Sequence, residues 1–123
     1  MPNPQYPADI MRTVLPSFAL TLALLAQPAH AEIRAVVVGV SDYLTLDADL
    51  KGPANDARLM AETLVARGVD PARITVLTSD PTGLPSGTIP GQPTRAEILA
   101  ALAAATEASI KGDTVVFTFS GHG

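Results

Sequence analysis

From Arg34 to Val40 the chain is apolar at consecutive positions, Ala35-Val36-Val37-Val38, rather than at alternate ones. A strand without a polar face is buried on both sides, so this pattern predicts a first strand inside a parallel sheet. The period then changes. After Gly52-Pro53, the residues Ala57, Met60, Ala61, Leu64 and Val65 recur at spacings of three and four, which predicts a helix with one stripe laid on the sheet. Pro53 suits the first turn, Asn55 and Asp56 sit where the helix dipole favours negative charge, and Gly68 ends the helix after about Arg67.

Arg73 to Thr78 predicts a second, short strand with Ile74, Val76 and Leu77 as its apolar content. Ser79 to Pro93 holds four Pro and three Gly in fifteen residues, a density of breakers that predicts an exposed or functional loop. Thr94 and Glu97 then form a Thr-x-x-Glu capping box, each side chain expected to satisfy a backbone donor at the start of a second helix. Ile98, Leu102 and Ala105 are its inward stripe, Gly112-Asp113 closes it, and Thr114 to Ser120 predicts a third strand of high β propensity. Strand, helix, strand, helix, strand is the order of an α/β fold with a mostly parallel, doubly wound sheet and helices on both faces. Ligands in such sheets bind beyond the carboxyl ends of the strands where the winding reverses, which points to Ser41-Asp42-Tyr43 and to Gly121-His122-Gly123.

Composition changes this picture at the amino terminus. Arg12 precedes a Leu- and Ala-rich run from Val14 to Ala26, and Ala29-His30-Ala31 supplies the small residues of a cleavage site. Residues 1–31 therefore read as a signal peptide, with Met11 leaving room for residues 1–10 to be a misassigned start. An uncleaved anchor is the rival reading, and the run, broken by Pro16, is short for a bilayer span. Export to a periplasmic or secreted setting follows, with no membrane contact after cleavage. A net charge of −4 without a basic cluster excludes nucleic acid and anionic membranes as partners. The chain contains no cysteine, hence no disulfide and no thiolate metal site.

Once His30 leaves with the leader, His122 is the one imidazole and the one side chain that ordinarily titrates near neutrality. It stands at a strand's carboxyl end between two glycines, which leave the backbone bare for the close approach of a substrate. The plain alternative is a turn histidine. Asp42, Asp47 and Asp49 cluster after the first strand, but their spacing is not that of an EF-hand, and solvated loop charges account for them better than a calcium site does.

The segments 35–43 (AVVVGVSDY), 50–57 (LKGPANDA), 74–78 (ITVLT), 93–98 (PTRAEI) and 112–123 (GDTVVFTFSGHG) resemble, in order and spacing, the opening half of a metacaspase domain. The resemblance covers nearly all of residues 32–123 and implies a caspase-like sheet, here incomplete, with three strands and two helices. It implies a cysteine-type endopeptidase in which a histidine, matched by His122, partners a cysteine thiolate. Gly123 matches the residue whose backbone N–H belongs to the oxyanion hole, and the nucleophile is expected about fifty residues further on. Asp56, of the Asn-Asp pair, and Ser120, of Ser-Gly-His-Gly, match residues lining a pocket for Arg or Lys side chains. For Asp56, stabilisation of the helix dipole is the structural alternative.

Without a cysteine these residues are expected to be inactive alone, and the stop at Gly123, with an unpaired strand edge, reads as truncation and as an aggregation hazard. A naturally shortened pseudo-enzyme is the alternative. The rival function is a non-catalytic caspase-like module that binds peptides or proteins. A doubly wound small-ligand domain is disfavoured, since Val-Gly-Val-Ser-Asp is not a phosphate-cradling glycine loop. No cofactor is expected in this segment, and calcium activation, known in the family, would draw on ligands outside it. The residues do not indicate an oligomeric state.

Overall fold

The computed structural model describes residues 2, 30–43 and 52–122. The proposed leader apart from Pro2, His30 and Ala31, the carboxylates of Asp47 and Asp49, and Gly123 lie outside the described residues. A compact unit comprises Ala31–Gly123.

The elements are β1 (Ile33–Gly39), α1 (Pro53–Ala66), a short 3-10 turn (Pro71–Arg73), β2 (Ile74–Thr78), β3 (Ile89–Gly91), α2 (Arg95–Glu107) and β4 (Thr114–Ser120). They form one parallel sheet in the order β3-β2-β1-β4. The expected α/β sheet is present, but with four strands rather than three. The additional strand, β3, lies within the stretch read as loop. Pro90 and Gly91 hide it in the sequence, and they are tolerated because β3 is an edge strand paired only with β2.

β1 occupies the middle of the sheet, and Ala35 to Val38 are no more than 1% exposed. Its side chains alternate between two cores. Ala35 and Val37 pack with Ile74, Val76, Ala57 and Ala61 under α1, whereas Val36 and Val38 join Leu77 under the Ile98, Ala101, Leu102 and Ala105 face of α2. α1 therefore covers one face and α2 the other. The residues Ala57, Ala61, Leu64 and Val65 take the places expected of them, while Met60, assigned to the same stripe, is 38% exposed.

Chain punctuation explains the helix ends. α1 stops in a Schellman motif: the Gly68 N–H reaches the Val65 carbonyl at 2.9 Å, and the Val69 N–H reaches Leu64 at 3.0 Å, with φ +90° at Gly68. At the start of α2, Thr94 Oγ1 accepts the Glu97 N–H at 3.2 Å. The Glu97 carboxylate does not return to Thr94; it accepts the Gln92 N–H at 2.7 Å, so only half of the expected capping box forms.

At the amino-terminal end of the sheet, Glu32 bridges strands. Its N–H donates to Asp113 Oδ1 at 2.9 Å, its carbonyl accepts the Thr114 N–H at 2.8 Å, and its carboxylate pairs with Arg34 at 3.2 Å and with Arg73. At the opposite end, β1 leads to β2 on one side and neighbours β4 on the other. The winding thus reverses between the carboxyl ends of β1 and β4.

Candidate functional site

Ser120 is the last residue of β4 and pairs with Gly39, so the sheet continues until both chains leave it together. The Val40 N–H still donates to the Ser120 carbonyl at 2.9 Å. Beyond that bond, β1 runs into Ser41-Asp42-Tyr43 and β4 into Gly121-His122, the two stretches expected from the order of elements.

Gly39 sets how closely α1 approaches this end. A Cβ built on it would lie 2.3 Å from the Pro53 carbonyl oxygen and 2.8 Å from the Ala57 Cβ, so the first turn of α1 rests directly on the strand. The cap of α1 comes from outside the helix. Gly52 has no side chain to offer, and Ser41 Oγ accepts the Ala54 N–H at 3.0 Å instead. Ser41 is itself held, because Ser79 Oγ at the end of β2 accepts the N–H groups of Ser41 and Asp42, each at 3.2 Å.

This seating of α1 brings Asp56 to Ser120. The Ser120 hydroxyl donates to Asp56 Oδ2 at 2.7 Å across a sequence separation of 64 residues. The two residues expected to share a pocket are therefore neighbours, and they line a cleft of about 110 Å³ on the α1 face with Met60 and Thr118. Met60 is exposed because it forms a wall of this cleft rather than part of the core. Among the described residues no cation pairs with Asp56; the nearby Arg58 is engaged by Glu62 and by Asn55, both at 2.6 Å. A carboxylate at the rim of an open cleft, with one oxygen already oriented by a hydroxyl, can accept a bidentate or point-charge donor from solution.

His122 is exposed two residues beyond Ser120. Its backbone N–H donates to the Tyr43 phenol oxygen at 2.5 Å, and the two ring centroids are 5.3 Å apart with planes inclined at 54°. The glycine before it has a different use from the one read in the sequence. A Cβ on Gly121 would come within 2.6 Å of the Tyr43 oxygen and 3.1 Å of the Phe119 ring, so the bare Cα admits Tyr43 rather than a substrate. Tyr43, Ser41 and Ser79 are positioning residues; the order of elements pointed to the stretch holding Ser41 and Tyr43 but not to these roles, nor to Ser79.

A larger recess of about 730 Å³ opens on the α2 face, lined by Val40, Tyr43, Pro93, Ile98, Leu99 and Phe119 among others. Among the described residues, no three His, Cys, Asp or Glu side chains converge as metal ligands.

Residues 33–123 match the family model described as "Metacaspase, peptidase C14 domain". Among curated proteins, the chain is 36% identical over 96 residues to Metacaspase-2 of Arabidopsis thaliana, covering 78% of this chain and 22% of that protein. It is 35% identical over 91 residues to Metacaspase-2 of Trypanosoma brucei brucei (74% and 25%) and 37% identical over 91 residues to Metacaspase-4 of Arabidopsis thaliana (73% and 20%). The chain thus spans a quarter or less of the length of these relatives.

Proposed function

The chain belongs to the metacaspase family of peptidase C14, and on that premise we propose that the protein carrying it is a cysteine-type endopeptidase cleaving after Arg or Lys. The observation that carries the reading is the Ser120–Asp56 hydrogen bond of 2.7 Å, in which Ser120, two residues before the exposed His122, orients a carboxylate that pairs with no cation among the described residues. A basic side chain entering the α1-face cleft would meet that carboxylate, and its methylenes would lie along Met60.

His122 then handles the proton. A cysteine supplied outside these 123 residues, which contain none, attacks the carbonyl carbon as thiolate. The C–N bond breaks, the acyl group remains on sulfur, and the imidazolium of His122 gives its proton to the departing amine. Water next attacks the thioester, losing its proton to the same imidazole, and the acid leaves. Through the family resemblance, Gly123 is the backbone donor to the oxyanion. Tyr43 keeps the backbone of His122 in register with the sheet while the ring changes protonation. On this reading the 123 residues alone do not turn over substrate. The Arg12 to Ala31 pattern supports an exported setting for the enzyme.

The test is a peptide pair differing only in Arg against Asp before the scissile bond, assayed on the protein complete with its thiol. Turnover of the Arg peptide should fall by about a hundredfold or more in His122→Ala, the ordinary scale of a lost acid-base group. Asp56→Asn should reduce kcat/KM for the Arg peptide by about tenfold or more, the scale of a lost charge-assisted hydrogen bond. Undiminished turnover in His122→Ala would leave a peptide-binding module as the better description.

A further inference from the structure

The strand that delivers His122 also separates two recesses. Along β4, Thr118 and Ser120 line the α1-face cleft with Asp56, while Phe119, level with Val38 of β1, lines the edge of that cleft and also the recess on the α2 face. The recess on the α2 face is mostly apolar, although Asp42, Ser79, Gln92, Thr94 and Arg95 also line it, and two of its large side chains are half-exposed: Leu99 is 52% and Phe119 50% exposed. Its volume of about 730 Å³ lies within the range that holds small ligands and exceeds what one aromatic side chain needs. Tyr43 lines this recess and also holds the His122 backbone, so recess and imidazole share a wall.

An extended peptide sends successive side chains to opposite sides, about 3.3 Å apart along the chain. If a basic side chain enters the acidic cleft on one face of the sheet edge, the adjoining residues turn to the other face. The residue after the scissile bond carries the amine that His122 protonates, so it is the one brought against Tyr43. The geometry points to the α2-face recess as the specificity pocket for that residue, with a preference for a large apolar side chain such as Leu or Phe, and Leu99 and Phe119 as its determinants. This extends the peptidase reading and rests on it.

The experiment uses the protein complete with its thiol and peptides with Arg before the scissile bond and Leu, Phe, Gly or Asp after it. Leu and Phe peptides should exceed the Gly peptide in kcat/KM by about tenfold or more, the scale on which an apolar pocket discriminates. In Leu99→Asp, a half-exposed helix position, the Leu-to-Gly ratio should collapse towards one, and Leu99→Met should restore it. A ratio is independent of how much enzyme is folded. Equal rates for all four peptides, a ratio unmoved by Leu99→Asp, or selectivity at the residue before Arg instead would each overturn the assignment. Labelling of the wild-type thiol by an arginyl chloromethyl ketone, which has no residue beyond its reacting carbon, isolates the two ideas. Labelling with equal peptide rates sinks only the recess, whereas no labelling sinks the peptidase reading and the recess with it.

Discussion

The phenol oxygen of Tyr43 accepts the backbone N–H of His122 at 2.5 Å, joining the loop after β1 to the turn after β4 across 79 residues of sequence. Neither partner lies in a strand, so no ladder bond holds them in place; the contact depends on the parallel register that brings Gly39 level with Ser120. It ties His122 to the loop that follows β1, a strand buried between both helices.

Tyr43→Phe keeps the ring beside His122 and removes only the acceptor. A net hydrogen bond contributes about 1 kcal/mol, so kcat of the complete enzyme should fall by about five- to tenfold with little change in KM. Steady-state kinetics on an Arg peptide measures this. An unchanged kcat would make the bond ornamental to the chemistry.

Gly121→Ala should cost more than Tyr43→Phe, because the new Cβ at 2.6 Å from the Tyr43 oxygen forces Tyr43 and the His122 turn apart. The two changes should also couple. With the oxygen already gone, the Cβ meets only the Phe119 ring at 3.1 and 3.2 Å, so the double variant should lose less activity than the product of the single losses. Strict multiplicativity would mean the glycine serves some other purpose.

Gly39→Ala tests the seating of α1. Its Cβ would meet the Pro53 carbonyl oxygen at 2.3 Å and the Ala57 Cβ at 2.8 Å, and backbone cannot swing aside as a side chain does. Overpacking of this kind costs about 3 kcal/mol, which should lower the thermal midpoint of the domain by about fifteen degrees. Since α1 carries Asp56 to Ser120, the variant's residual activity on Arg peptides should fall further than its folded fraction does, as read by circular dichroism alongside the assay.

Much of this was legible in the residues themselves. The Val-Val-Val run of β1 announced a strand because burial on a parallel sheet tolerates no polar face, the β-branched and aromatic residues of Thr114–Ser120 announced another by propensity, and Pro53 and Gly68 marked α1 because each suits one end of a helix. β3 was illegible because its edge position lets breakers stand in a strand. The Asp56–Ser120 contact came through resemblance to a family, not through any local pattern. The stretch holding Ser41 and Tyr43 was pointed to by the order of elements, but their contacts, like the role of Ser79, arise only when loops from separate strand ends meet, a consequence of register that no window of sequence contains. Met60 fitted the helical period yet lies at the stripe's margin, where the sheet ends and the cleft begins.

The far end of the sheet should respond to acid. Asp113 accepts the Glu32 N–H at 2.9 Å on one oxygen and the Ile110 N–H at 3.0 Å on the other. The Ile110 and Glu32 backbone donors, followed by the nearby charges of Arg34 and Arg73, favour the carboxylate and hold its pKa below the ordinary aspartate value. A group whose pKa is depressed in the fold stabilises it above the unfolded-state pKa, and that stability disappears as pH falls through the folded value. The loss should therefore begin near pH 4, about where an unfolded aspartate titrates, and continue below it. Asp80, lowered by its hydrogen bonds to Thr82, adds a second component of the same sign in the same window. In Asp113→Asn the amide cannot accept from both donors as a carboxylate does, so the domain should be less stable at neutral pH and its denaturant midpoint should fall less steeply between pH 5 and 2. Because β1 and β4 are joined at this end through Glu32 and Asp113, parallel pH profiles for the two proteins would mean that the strands are held by their ladder alone.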